Sequence, residues 1–306
     1  MRRRLLIAAF LMATVSWAWS QEEGYAGYSP LFNPQVRALL PEEVRENSGL
    51  FFHHGRLWTH NDSGGKPILY ALDTATFEVV QRVTLANAKN KDWEDVCTDG
   101  ENVYVGDFGN NKGKRKNLRI YTFPLSALPD NGDATVTVDS IRFSFGDQTV
   151  FEYEKHAHDY DCESLFATEQ FLYVFSKGWA TGTTRLYRIP KEPGEYVVEP
   201  VNGFDSQGLI TGADYDPETG TLAVVGYVKD VWLPFLYLIY DFDGEGVKLS
   251  HRRFELPNYL GAQTEGICFF DGVKCYLSCE TSPTLTARVM VIDFGKWIQH
   301  DRNRKR

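Results

Sequence analysis

Apolar residues along this chain fall in short runs separated by Gly, Pro, Asn and Asp, and no stretch shows the 3.6-residue period of an amphipathic helix. One run recurs with an aromatic residue near its centre. It reads ILYALD (68–73), LRIYTFP (118–124), RLYRIP (185–190) and FLYLIY (235–240), and RVMVID (288–293) carries Met290 in the aromatic's place. A second phrase precedes each of these: an acid or hydroxyl residue, a small or acidic residue, then an apolar one. Its copies are Ser48-Gly49-Leu50, Glu94-Asp95-Val96, Glu163-Ser164-Leu165, Thr211-Gly212-Ala213 and Glu265-Gly266-Ile267. Between the two lies a third run: RLWTH (56–60), NVYVGD (102–107), FLYVFS (171–176), TLAVVGY (221–227) and CYLS (275–278). A fourth comes after the aromatic phrase, as FEVVQRVTL (77–85), TVTVDSIRFSF (135–145), EYVVEP (195–200) and KLSHRRFEL (248–256).

Four antiparallel strands recurring every ~50 residues predict the blades of a β-propeller. The fifth repeat lacks its fourth strand, while a matching segment, QVRALLPEEV (35–44), stands ahead of the first. The expected fold is therefore all-β: five blades of four antiparallel strands, with the amino-terminal strand completing the last blade. The second repeat is longer. An extra half-blade concealed near 125–160 gives the six-bladed alternative, and a β-sandwich is the alternative outside propellers.

Composition agrees. Aromatic residues make up 14% of the chain, with 26 Gly and 13 Pro, as in aromatic-rich strands joined by tight turns. With 24% charged and 43% hydrophobic residues, the chain is neither disordered, collagen-like nor a coiled coil. A net charge of −9 argues against a nucleic-acid partner, which needs a basic face for phosphates.

The amino terminus reads as an address. Arg2, Arg3 and Arg4 precede an apolar run from Leu5, and Ala18 and Ser20 are small residues placed for cleavage before Gln21. That is the pattern of a secretory signal peptide over 1–20. The run is shorter than the ~20 residues of a bilayer span. The expected mature chain, 21–306, is a single propeller domain without a membrane span, exported to the periplasm or the outside. Its five cysteines (97, 162, 268, 275 and 279) are an odd number and fit no zinc spacing. Cys97 and Cys268 occupy equivalent repeat positions and read as small buried packing residues. Cys268 and Cys275 flank the turn signal Asp271-Gly272, so a disulfide there is the alternative.

In a propeller the first strands line the axial channel, and the entries to them share one face with the links between second and third strands. This gathers the unusual residues of the chain. The entries supply Ser48, Glu94, Glu163, Thr211 and Glu265. The links supply HNDSGG (60–65), GDFGNNKGKR (106–115), SKGWATG (176–182), YVKDVW (227–232) and CETSP (279–283). Loops on a rigid scaffold are where binding residues concentrate. The ligand-binding candidates are His60, Asn61, Asp62, Glu94, Asp95, Asp107, Asn110, Asn111, Arg115, Glu163, Lys177 and Glu265. His60, Asn61 and Asp62 offer a base, an amide and a carboxylate; alternatively Asn61 and Asp62 satisfy backbone N–H groups of their own turn. Three glutamates converging near an axis must be protonated, paired with a base such as Lys177, Arg115 or Arg119, or bridged by a cation. The competing reading has each glutamate bonding backbone amides of the next blade. Glu94, Asp107, Glu163 and Glu265 are the candidate metal ligands, with calcium as the ion, and Asn110 and Asn111 offer further oxygens.

Other signals are weaker. The loop 106–115 lacks phosphate-loop spacing and precedes no helix. Asp214-x-Asp216-x-Glu218 and Asp241-x-Asp243-Gly244 fall short of an EF-hand and read as hairpin turns. His156-Ala157-His158-Asp159 reads as surface polarity and HDRNRKR (300–306) as a frayed end. No Gly-x-Ser-x-Gly elbow is present.

HNDSGG, DWEDV and GDFGNN, with Arg115 and LRIY after them, resemble a family of exported bacterial β-propeller proteins that carries these three motifs in this order. The likeness spans about residues 46–123. More distantly the chain is similar to phytase-like and esterase-like propellers. The resemblance implies an exported propeller with no settled activity, and phytase-like calcium ligands do not map onto positions here. Two functions are open: binding of a small molecule, glycan or protein at the axial face, or metal-assisted hydrolysis of a phospho- or carboxylic ester by carboxylates at the channel mouth.

Overall fold

The inner and middle strands are buried along most of their length, whereas outer strands such as Gln35–Leu39 and Pro200–Asp205 are half-buried to exposed. In a computed structural model, which describes residues 32–304 except 153 and 245–249, the sheets are the blades of a five-bladed propeller. The expected signal peptide lies outside the described residues.

The first described strand, β1 (Gln35–Leu39), takes no part in the first blade. That blade is β2 (Asn47–His53), β3 (Arg56–Asn61), β4 (Ile68–Asp73) and β5 (Val79–Leu85). The second blade starts with β6 (Trp93–Thr98), β7 (Asn102–Asp107) and β8 (Leu118–Pro124). The chain then reaches back through β9 (Ala134–Val136), parallel to β5, before β10 (Asp139–Phe145) closes the second blade. The third blade repeats the manoeuvre. After β11 (Asp161–Ala167), β12 (Phe171–Lys177) and β13 (Thr183–Pro190), β14 (Gly194–Val198) runs parallel to β10, and β15 (Pro200–Asp205) completes the blade. The fourth is β16 (Leu209–Asp216), β17 (Thr221–Val228), β18 (Leu233–Tyr240) and β19 (Ser250–Glu255). In the fifth, β20 (Thr264–Phe269), β21 (Lys274–Cys279) and β22 (Arg288–Asp293) are joined by β1, which sets Gln35 opposite Val291 and Leu39 opposite Arg288. The amino-terminal strand thus closes the ring.

Three expectations are corrected. The outer strand of the third blade is not 195–200: residues 194–198 cover the edge of the second blade, and 200–205 take the outer place. The long second repeat conceals no half-blade: its surplus is β9, which extends the first blade. Both additions cap an edge whose N–H and C=O groups would otherwise face water. Finally, residues 300–304 are not frayed but end α1 (Gly295–Arg304), whose Ile298 and Trp297 pack on the core between the last two blades.

The core is divided into five apolar clusters, one at each blade interface. Alternate residues of a strand serve opposite interfaces: Val224 packs toward the third blade and Val225 toward the fifth. Cys268 and Cys275 separate in the same way. They fall in different clusters, Cys275 lies opposite Phe269 rather than Cys268, and all five cysteines are buried and unbridged. Among the described residues no helix is long and apolar enough to cross a membrane.

Candidate functional site

The inner strands β2, β6, β11, β16 and β20 pack each against the next, and β20 against β2. Each carries a β-bulge at the same place, at its entry to the axis. Pairing skips between Asn47 and Leu50, Trp93 and Asp95, Cys162 and Ser164, Ile210 and Gly212, and Thr264 and Ile267. The skipped residues include the whole ring read from the repeats, Ser48, Glu94, Glu163, Thr211 and Glu265, with Gly49 and Gly266 beside the first and last. A bulge inserts one unpaired residue and re-aims its side chain. The small residue that comes next in four of the five copies, Gly49, Ser164, Gly212 and Gly266, reflects crowding at the axis. A Cβ on Gly49 would strike Asp95 and the Val96 backbone, and one on Gly212 would strike the Glu265 carbonyl.

The ring members split by chemistry. The hydroxyls of Ser48 and Thr211 donate to backbone carbonyls of the next blade, to Glu94 O and to Thr264 O at 2.6 Å. The three glutamates instead project into a pocket of about 480 Å³ at the axial mouth. The same pocket receives Asp62 from the first blade's link, Asp92 from the entry to β6, and Glu280 from the last blade's link. Its walls include Trp179, Tyr227 and Trp232. Trp179 is fixed from behind, its Nε1 donating to Asp161 Oδ2 at 2.7 Å and its ring stacked on His156 at 3.6 Å.

With exposed Asp230, seven carboxylates line the pocket, and of its three lysines only Lys177 is buried, Lys155 and Lys229 being exposed. Lys177 is 2% exposed, is ion-paired with Glu163, and lies over the Trp179 and Tyr227 rings at 4.8 and 5.2 Å. Burial alone would favour the neutral amine, but facing Glu163 keeps Lys177 an ammonium with its pKa well above the usual lysine value. The other buried and half-buried carboxyls are pushed the opposite way. Burial, then the charges of Glu163, Asp62 and Asp92, hold Glu94 well above the ordinary range. Burial raises Glu265 and Glu280 to about 8, and Asp62 and Asp92 to about 6. Asp62, Asp92 and Glu94 each present an oxygen within 4.8 Å of the others.

Asp62, Glu94, Asn111, Glu163, Lys177 and Glu265 of the sequence candidates meet at this pocket; the other six do not line it. His60 is buried edge-on against Trp93 (5.5 Å, 88°), and burial lowers its pKa to about 4. Asn61 holds the Glu43 carbonyl at 2.8 Å. Asp95 accepts the backbone N–H groups of Val96 and Leu165, both at 2.8 Å, and so ties the second blade to the third. Arg115 folds back on its own loop, donating to the Asp107 carboxylate at 3.0 Å and the carbonyls of Asp107 and Gly109. Asn110 ties that loop to Tyr160 O and Asp161. Of the four candidate metal ligands, then, Asp107 is engaged by Arg115 and Glu163 by Lys177.

Sequence reasoning reaches Asp92 only as the neighbour of Glu94, and leaves Glu280, Trp179, Tyr227 and Trp232 as anonymous members of links. Their signal is position: each lies at the entry or link where the other site residues lie. His156 is not mere surface polarity, since it lines the pocket with its Nε2 at 2.9 Å from Asn111 Oδ1. Asp216, from a faint calcium pattern, accepts Thr219 N–H at 2.8 Å within a hairpin turn.

The fold and pocket together define a five-bladed propeller with an acidic axial site. No family model matches the chain, and no curated protein matches it. Among solved structures it is similar to a glucose dehydrogenase (10% identity, TM-score 0.49, covering 85% of this chain and 99% of that one). It is also similar to a luciferin-regenerating enzyme (14%, 0.43, 86% and 96%) and to a putative TolB from Agrobacterium tumefaciens (12%, 0.41, 81% and 76%). Likenesses at these identities carry no activity to this chain.

Proposed function

We propose that this protein is an exported binding propeller whose axial pocket takes a small cationic or polyhydroxyl ligand. One observation carries the reading: seven carboxylates and three aromatic side chains converge, from all five blades, on one pocket whose lysines are the buried Lys177 and the exposed Lys155 and Lys229. Carboxylates accept hydrogen bonds from hydroxyl and ammonium groups, and aromatic faces attract cations and cover apolar ring faces. Export is supported by the basic-then-apolar amino terminus and its small-residue cleavage pattern; a mature chain beginning at Gln21, found by mass spectrometry of the cell envelope or medium, is its test. Thermal melts of the mature chain in EDTA against polyamines, quaternary amines and neutral oligosaccharides test the pocket. A ligand of either class should raise the melting temperature with its concentration, and Trp179→Ala with Glu265→Gln should abolish the shift. Shifts from anionic compounds alone would overturn the reading.

A second reading is supported by the close carboxylates Asp62, Asp92 and Glu94. It is metal-assisted hydrolysis of a phospho- or carboxylic ester, in which the ion would polarise the ester and lower the pKa of a water. Turnover of nitrophenyl esters that requires added metal and disappears in Asp92→Asn is its signature; no turnover with any divalent metal would remove it.

A further inference from the structure

We propose that Asp62, Asp92 and Glu94 form a site for one hard divalent cation, with calcium preferred, and that Asn47 offers it a fourth oxygen. This rests on the reading of the axial pocket as a binding site, and it replaces the four-carboxylate set expected from the sequence with a different one.

Elimination narrows the carboxylates first. Glu163 has its own ammonium in Lys177, and Asp107 its own guanidinium in Arg115. Glu94 has neither. It is 6% exposed, it faces the pocket, and among the described residues its carboxylate has no hydrogen bond or ion pair. Gly109 makes room for it: a Cβ there would overlap both the Glu94 and the Asp92 carboxylate groups. The bulge at Glu94 sets it beside Asp92, two residues back, while Trp93 between them turns into the core. Asp62 arrives from the neighbouring blade, its backbone carbonyl held by Asn90 Nδ2 at 2.6 Å, with its own Oδ1 buried and unpartnered.

Asn47 is an independent observation. It is fully buried, lines the same pocket, and donates through Nδ2 to the Cys279 carbonyl at 3.1 Å. That bond fixes the amide's orientation, and the oxygen left over, Oδ1, is buried without a partner. An amide oxygen can only accept. No donor among the described residues reaches it, so what it lacks is a donor or a cation.

Geometry and donor type choose the ion. All four donors are hard oxygens, without thiolate or imidazole, which selects calcium or magnesium over zinc or copper. The three carboxylate oxygens lie within 4.8 Å of one another, close enough to share one ion. Calcium accepts irregular sets of oxygens, whereas magnesium demands a near-ideal octahedron and sheds its waters reluctantly, so an irregular set drawn from two blades favours calcium. The pocket side of the ion stays open to water or to a ligand oxygen. A polyhydroxyl ligand could therefore bind through the metal and the remaining carboxylates together.

The test uses the full mature chain stripped with EDTA and titrated with calcium alone by calorimetry, with magnesium in parallel and terbium luminescence excited through tryptophan as an independent readout. One calcium per chain is expected, binding at least tenfold more tightly than magnesium. Asp62→Asn and Asp92→Asn should each weaken it tenfold or more, yet melt no lower than the parent in EDTA, because each removes a charge from a repulsive cluster. Glu101→Gln, at an exposed turn, should bind as the parent does. No calcium binding by a chain with a cooperative melt overturns the proposal, as does binding that both variants retain. The binding reading fails separately: it is measured in EDTA with organic ligands, and can hold when calcium does not bind.

Discussion

Glu94 and Asp95 are neighbours with opposite tasks, and the difference shows what a carboxylate does at this axis. Both are buried and both have pKa values raised chiefly by burial. Asp95 nevertheless accepts two backbone N–H groups, one from its own strand and one from the third blade. Removing it leaves those donors buried and unsatisfied. Asp95→Ala should cost about 3 kcal/mol in urea unfolding, the scale of buried donors deprived of a charged acceptor. Glu94→Gln breaks no such bond and relieves repulsion, so in EDTA its stability should equal or exceed the parent's. Equal losses in the two variants would mean that Glu94 also pins the ring.

At the scale of elements, closure depends on β1. The first three strands of the last blade succeed one another in sequence, but the fourth comes from the opposite end of the chain. Pairing β1 with β22 covers that blade's outer edge, and Leu40 just beyond β1 packs between the last and first blades. A chain beginning at residue 43 loses the ladder and that apolar contact, and bares a strand edge. Its midpoint should fall by roughly 10 °C or more, the scale of losing several kcal/mol in a domain of this size. Differential scanning calorimetry decides; a fall of only a degree or two would show that the ring holds without its closing strand. β9 and β14 do comparable edge-covering work, and without them the outer strands of the first two blades would lie open.

For the molecule as a whole, the acidic pocket makes stability depend on pH in an unusual direction. Glu265 faces Lys177, Glu280, Gln263 and Asp62, and Glu280 faces Asp62, Glu163, Lys177 and Glu46; burial leads in raising both to about 8. In the unfolded chain both carboxyls titrate near 4.5, their unperturbed value. Between those values the native state holds protons that the unfolded state has released, so stability falls as pH rises. Asp214, half-buried and raised to about 7, adds to the same trend. In EDTA the melting temperature should therefore be highest near pH 5 and lower by roughly 5 °C or more near pH 8.5. A melting temperature that climbs across that range would show these carboxyls ionised throughout in the folded protein.

The sequence by itself determined the blade count, the closing strand and the ring of bulged residues. All three are periodic properties, carried by local patterns that repeat once per blade. It found the strand that closes the second blade, within 135–145, but misplaced the outer strand of the third. Residues 195–198 have the pattern of an edge strand wherever they dock, and which edge they cover is set by how the link spans two neighbouring blades. Nor could it tell Glu94 from Asp95, or Asp62 from His60. Adjacent residues share a local context, while a bulge, a side-chain direction and a neighbouring blade decide which one meets solvent and which one meets a backbone amide. The grouping of Asp62, Asp92 and Glu94 and the capture of Asp107 by Arg115 were decided only in three dimensions, because electrostatic partners are fixed by distance through space: the first needs two neighbouring blades to pack, and the second needs the 107–115 loop to fold back on itself.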